Sequence, residues 1–147
     1  MSTRSTTRFV SRGNNEDVTL VNIYQQYDGY LSGVGREIAE YILSKKITNG
    51  YSSGMDLSNC ANGFDCLAAQ FIRDFKKGIG GLYITLPDDE QEYHYNLICE
   101  EEKVFESVDR NGTSADDCIT IEVYNWGKLI FTGTASELLE KINKGSE

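Results

Sequence analysis

The sequence predicts an α+β fold: a predominantly antiparallel sheet with two main helices and a short C-terminal helix. Three observations carry this prediction. Short runs that alternate apolar and polar residues are separated by polar or glycine-bearing turns, which suits hairpins. Two longer segments repeat their apolar residues at helical spacing. No βαβ unit recurs often enough for a doubly wound sheet. A length of 147 residues suits a single compact domain, 1–147, and 39% hydrophobic with 25% charged residues favours an ordered globular chain over a disordered one.

The elements follow in order. Thr6–Arg12 and Val18–Tyr24 alternate like strands, and the turn GNNED joins them. Helical spacing begins near Val34, where Val34, Ile38, Tyr41 and Ile42 share a face, and runs to Ser44. The connection Ile47–Ala61 is polar and glycine-bearing, with no clear periodicity. A second helix is expected over Asn62–Lys77: Asn62 caps it, Phe64, Leu67, Ala68, Phe71, Ile72 and Phe75 form its apolar face, and Gly78 stops it. Strands are then expected at Leu82–Leu86, Tyr93–Cys99 and Lys103–Val108. Ile119–Tyr124 and Lys128–Thr132 flank Asn125-Trp126-Gly127, a hairpin signal because glycine takes the positive-φ position. Thr134 and Glu137 form a capping-box pattern, and Leu138, Leu139 and Ile142 let the last helix dock.

Charge narrows the partners. Against 23 Asp and Glu stand 14 Lys and Arg, a net charge of −9. Such a chain attracts neither the nucleic-acid backbone nor an anionic membrane at long range, so direct binding to long nucleic acid and to membranes is not expected. A local basic pocket for a small anion remains compatible with it. No run is long and apolar enough to span a bilayer, and MSTRSTTRFV lacks the apolar core of a signal peptide, so a cytoplasmic protein is expected. Cys60, Cys66, Cys99 and Cys118 are then expected to be reduced thiols, too scattered for a zinc signature.

No catalytic constellation emerges. His94 is the sole histidine, and no nucleophile or orienting group is spaced to serve it as a general base. The runs Asp88-Asp89-Glu90 and Glu100-Glu101-Glu102 cover turns and match no metal-loop pattern, so neither a metal nor a cofactor is expected.

Ligand chemistry is carried instead by YQQYDGYLSGVGRE. Gly33 and Gly35 allow close approach at a helix start, Arg36 offers a forked charge to a phosphate, and Tyr27 or Tyr30 can stack on a base. The stretch is neither a full dinucleotide fingerprint nor a phosphate loop, and the plainer reading is that its glycines only turn the chain. A second group is Arg110, Asn111 and Thr113, where a polar turn can project a guanidinium. Trp126 and the tyrosines suit either a recognition surface or core edges.

The stretches YQQYDGYLSGVGREIAEYI, NGFDCLAAQFIRDFKKG, GGLYI and EYHYNLI resemble small proteins carried by phages and prophages, over about two-thirds of the chain. The nearest named family is the phage sponge that counters Thoeris defence by sequestering a cyclic ADP-ribose signal. That resemblance implies a non-enzymatic homo-oligomer in the host cytoplasm whose pockets use arginine and aromatic contacts. It assigns no residue, so Arg36 and Arg110 rest on their own chemistry. The expected function is therefore sequestration of an anionic small molecule, preferably a nucleotide, without catalysis. The alternative is an inhibitor that binds a host defence protein through an acidic and aromatic surface.

Overall fold

A computed structural model describes residues 2–51, 53, 54, 56–105 and 112–145. Strands β1 (Ser5–Arg12) and β2 (Asp17–Gln25) form the first hairpin, and β5 (Leu82–Thr85), β6 (Tyr93–Glu100), β8 (Ile119–Asn125) and β9 (Lys128–Gly133) complete a six-stranded sheet. Its order is β5-β2-β1-β6-β8-β9. Four of its pairings are antiparallel, and the central one, β1 with β6, is parallel. A smaller sheet joins β4 (Cys60–Asn62), β3 (Lys46–Thr48) and β7 (Thr113–Ser114) in the order β4-β3-β7.

Helices α1 (Arg36–Leu43), α2 (Phe64–Phe75) and α5 (Ala135–Asn143) supply the apolar faces. Ile38 and Ile42 of α1, Leu67 and Phe71 of α2, and Leu138 of α5 join Phe9, Ile23, Leu97 and Ile121 of the sheet in one core. Phe9 meets Phe71 edge-on at 5.3 Å and Phe64 at 5.8 Å, which places α2 over the middle of the sheet. Each such buried side chain contributes about 1.5–3 kcal/mol through loss of apolar surface.

The expected α+β class with a mostly antiparallel sheet is what forms. The helix inventory differs from expectation. α5 has 9 residues and α1 has 8, so the C-terminal helix is no minor appendage to two main ones. Its capping box forms in full, and Ala135, Leu138 and Ile142 are buried. The expected strand at Lys103–Val108 is instead helix α3 (Glu101–Phe105), with 106–108 outside the described residues. Two glutamates in its first turn and Lys103 in its last complement the helix dipole, and Lys103 pairs with Glu100 at 2.9 Å. Asn62 does not cap α2. Its Oδ1 accepts the Gly50 N–H at 2.7 Å, and Gly63, at φ +90°, takes the cap position. A short helix, α4 (Ala115–Cys118), leads into β8. The expected hairpin turn forms with both Trp126 (φ +48°) and Gly127 (φ +77°) in the left-handed region, the pattern that matches strand twist.

Candidate ligand groove

The stretch after β2 is fixed by its own backbone. A π-helical turn, Leu31–Gly35, precedes α1. The N–H of Val34 donates to the Asp28 carbonyl at 2.8 Å, and that of Gly33 to the Tyr30 carbonyl at 3.0 Å. The N–H of Gly35 reaches the same Tyr30 oxygen at 3.4 Å. Donors that a phosphate would need at this helix start are therefore engaged internally. A Cβ on Gly33 would lie 2.1 Å from the Asp28 carbonyl oxygen, and one on Gly35 would lie 3.2 Å from the Tyr95 hydroxyl. Both glycines answer a packing requirement. The Tyr30 hydroxyl donates to Asp28 Oδ1 at 3.2 Å, and Arg36 donates to Asn143 Oδ1 at 3.0 Å, tying α1 to the end of α5.

The remaining candidates separate. Thr113 sits in β7 opposite Ile47, while Arg110 and Asn111 lie outside the described residues. Of the loop candidates, Tyr27 lines a cavity.

That cavity is a groove of about 530 Å³ between the end of β2, the end of α2 and the start of β5. Gln25, Tyr27, Phe75, Lys77, Ile79 and Tyr83 are among its walls. Pairing of β2 with β5 sets Gln25 against Leu82 and Tyr24 against Tyr83, and the Gln26 N–H donates to the Gly81 carbonyl at 2.9 Å. These bonds hold a glycine turn, with Gly78, Gly80 and Gly81 all at positive φ, against the tyrosines. Tyr27 is 64% exposed and Tyr83 51%, so both rings are open to contact. Lys76 is occupied: its Nζ donates to the Gly80 and Leu82 carbonyls at 2.9 and 2.8 Å. Lys77 makes no ion pair among the described residues. Its field is felt at Glu37, where burial first, then Asp28 and Glu40, push the carboxyl up, and Lys77 opposes them. Among the described residues no carboxylate lines the groove.

A second cavity, about 360 Å³, opens at the C-terminal ends of β1 and β6 beside the start of α2. Its charge is opposite: Asp65 and Glu101 line it, with no basic side chain. The Ser11 hydroxyl donates to Glu101. Charge thus separates these two cavities, and of the two the groove suits an anion.

His94 is 1% exposed and belongs to a polar lattice on the sheet's other face. Asn96 Oδ1 accepts from Arg8 at 3.1 Å and from His94 Nε2 at 2.7 Å, so Nε2 carries the proton. Nδ1 then accepts from the Thr6 hydroxyl at 2.6 Å, and Thr6 Oγ1 accepts the Gln91 N–H at 3.2 Å. Arg8 also donates to the Pro87 carbonyl at 2.8 Å and to Glu90 at 3.1 Å. The connection between β5 and β6 is thereby strapped across this face. Burial, then the Arg8 charge, pull the imidazole pKa down and keep it neutral.

Among the described residues no group of three or more His, Cys, Asp or Glu side chains could hold a metal ion, and no helix is long and apolar enough to cross a membrane. Tyr27 was legible from sequence as a stacking residue. Lys77 and Tyr83 were not, because they come from distant sequence and reach it only when β5 pairs with β2, and Gln25, two residues before Tyr27, was not singled out because a glutamine in a polar stretch signals no contact. Comparison of the chain with protein-family models, curated proteins and solved structures finds no match.

Proposed function

We propose that the protein is a non-catalytic binder of an anionic, ring-bearing small molecule, a nucleotide in the first instance, held in the groove beside Tyr27. The observation that carries this reading is the conjunction of two open tyrosine rings with Lys77 in a cavity that no carboxylate among the described residues lines, on a chain of net charge −9. A volume of about 530 Å³ falls within the usual span for small-molecule sites, ~300–1,000 Å³. Stacking on Tyr27 would hold the ring and Lys77 the phosphate. Sequestration of a cyclic ADP-ribose-type signal in a phage-infected cell is the finer form of the proposal, and it draws on the resemblance described above.

Calorimetric titration with ribonucleoside monophosphates, cyclic nucleotides and cyclic ADP-ribose tests it. The expected result is saturable binding that Tyr27→Ala weakens by about 1–3 kcal/mol, the range for loss of one base-stacking contact. Lys77→Gln should weaken phosphate-bearing ligands and spare the matching nucleosides. Arg36→Gln, whose side chain is engaged with Asn143, should bind as the parent does. Absence of binding by the parent protein, or equal affinity in the Tyr27 and Lys77 variants, overturns the groove.

One observation supports the inhibitor reading as a second proposal. Ile79 (104% exposed), Ile84 (64%) and Leu86 (71%) leave an apolar border along β5, the sort of surface that protein partners cover. An Ile84→Lys, Leu86→Lys double variant that still binds nucleotide but loses anti-defence activity in cells would favour it.

A further inference from the structure

We infer that Gln25 is the specificity-determining residue of the groove, and that its amide oxygen selects ligands whose ring carries an amino donor. This rests on the groove reading above and adds a substrate class to it: aminated heteroaromatic rings, as in aminopurine and aminopyrimidine nucleotides.

Gln25 lines the groove as the last residue of β2. Its Oε1 is buried and has no hydrogen-bond partner among the described residues. The neighbour across the strand pair, Ser5, is fully buried, and its own hydroxyl is likewise unpartnered, so the two do not serve each other. The adjacent amide, Gln26, is engaged on both atoms: its Oε1 accepts from Tyr24 at 2.5 Å, and its Nε2 donates to Ser2 at 3.2 Å. Of the two amides at the groove, Gln25 therefore has the oxygen that no donor among the described residues serves, whereas that of Gln26 already takes one.

The energetics are one-sided. A buried carbonyl oxygen without a donor has lost its water and gained nothing, so a ligand N–H that reaches it relieves a standing penalty. A small turn of the side chain toward the groove breaks no hydrogen bond at that oxygen, because it makes none. A ligand carbonyl in the same position would oppose two acceptors. With a ring stacked on Tyr27, the group directed at the β2 wall is an edge substituent, and the wall calls for an amino group there.

The test compares AMP, CMP and GMP, each with its analogue dimethylated on the exocyclic nitrogen, together with UMP, against the parent protein and Gln25→Met. Dimethylation removes the donors and keeps the ring, the sugar and the phosphate. Methionine keeps the length of glutamine without its polar atoms. For each nucleotide that binds, dimethylation should weaken the parent by about tenfold, the loss expected for one neutral hydrogen bond. In Gln25→Met the difference should vanish, whereas a merely steric effect of the methyl groups would persist there. Isotope-labelled spectra should also show the Gln25 side-chain amide shifting with the aminated nucleotide and not with its dimethylated form, a reading that needs no variant to fold. Equal binding of both members of every pair, UMP binding as tightly as the best aminated nucleotide, or discrimination that survives in Gln25→Met overturns the inference and leaves the groove standing. Failure of every nucleotide to bind overturns both.

Discussion

Gly33 packs so tightly against Asp28 that the Asp28 carbonyl oxygen lies 2.1 Å from where a Cβ on Gly33 would stand. The same oxygen accepts the Val34 N–H at 2.8 Å, so it cannot move away without breaking the bond that starts the helical turn. Gly33→Ala should therefore destabilise by about 2 kcal/mol or more, at the upper part of the range for overpacking. Gly50, where a Cβ meets nothing within 4 Å, provides the contrast. Its alanine variant bears only the cost of its positive φ. Urea unfolding of both variants, followed by circular dichroism, measures the gap.

His94 predicts an acid-sensitive fold. Its folded pKa lies below its ordinary 6.5, first through burial and then through Arg8. The unfolded chain therefore takes up the proton first as pH falls. Stability is complete above about pH 6.5 and declines below it until the folded pKa is passed. The urea midpoint at pH 5.5 should fall below that at pH 7.5. Because His94 is the sole histidine, His94→Gln should flatten most of the difference. A variant that keeps the full pH dependence would place its origin elsewhere.

The four thiols should divide into two classes. Burial pushes Cys99 up to about 12 and raises Cys118 as well, whereas Cys60 and Cys66 are partly exposed. Titration with a chromogenic disulfide at pH 8 should count two thiols in the folded protein and four in denaturant.

Thr134 caps α5 with its hydroxyl, which accepts the Glu137 N–H at 3.2 Å, while Glu137 Oε1 accepts the Thr134 N–H at 2.9 Å. Asp116 independently accepts the Ala135 N–H at 2.7 Å. Thr134→Ala should consequently cost about 1 kcal/mol rather than unravel the helix. Asp116→Ala combined with it should cost more than the sum of the two. A double-mutant cycle in urea reads the coupling.

Lys76 guards the sheet edge. Its Nζ lies on the Leu82 carbonyl at the outer strand β5 and sits 5.5 Å from the Tyr83 ring. A lysine in this place blunts strand-to-strand association. Lys76→Ala should shift sedimentation toward larger species as concentration rises, relative to the parent at the same concentration.

What the sequence disclosed followed the range of the interactions concerned. The faces of α1, α2 and α5 were legible because residues three and four apart meet within one helix, and the Trp126-Gly127 hairpin because its turn is local. The parallel pairing of β1 with β6 was not: Thr6 and His94 meet from 88 positions apart, and no local pattern names such a partner. Within the expected strand Lys103–Val108, the described residues Lys103–Phe105 form helix instead: their alternation of charged and apolar residues fits a strand, while Glu101 and Glu102 ahead of them favour a helix start. At the groove, Tyr27 was visible as an unusual residue type. Lys77 and Tyr83 look ordinary until β5 folds back along β2, and Gln25, though close to Tyr27 in sequence, is an ordinary polar residue type there.

The central place of β1 sets an order of events during synthesis. Its hairpin with β2 can close early, but its other side waits for β6, which pairs with it from Ser5↔Tyr93 to Arg12↔Glu100. On the ribosome, therefore, the nascent chain carries a bare strand flank until residues 93–100 have emerged, and a pause in translation ahead of them prolongs that vulnerability. Distant pairings of this kind slow folding and leave sticky intermediates, so yield in a translation extract should respond to codon speed between β2 and β6 more than to codon speed after β9.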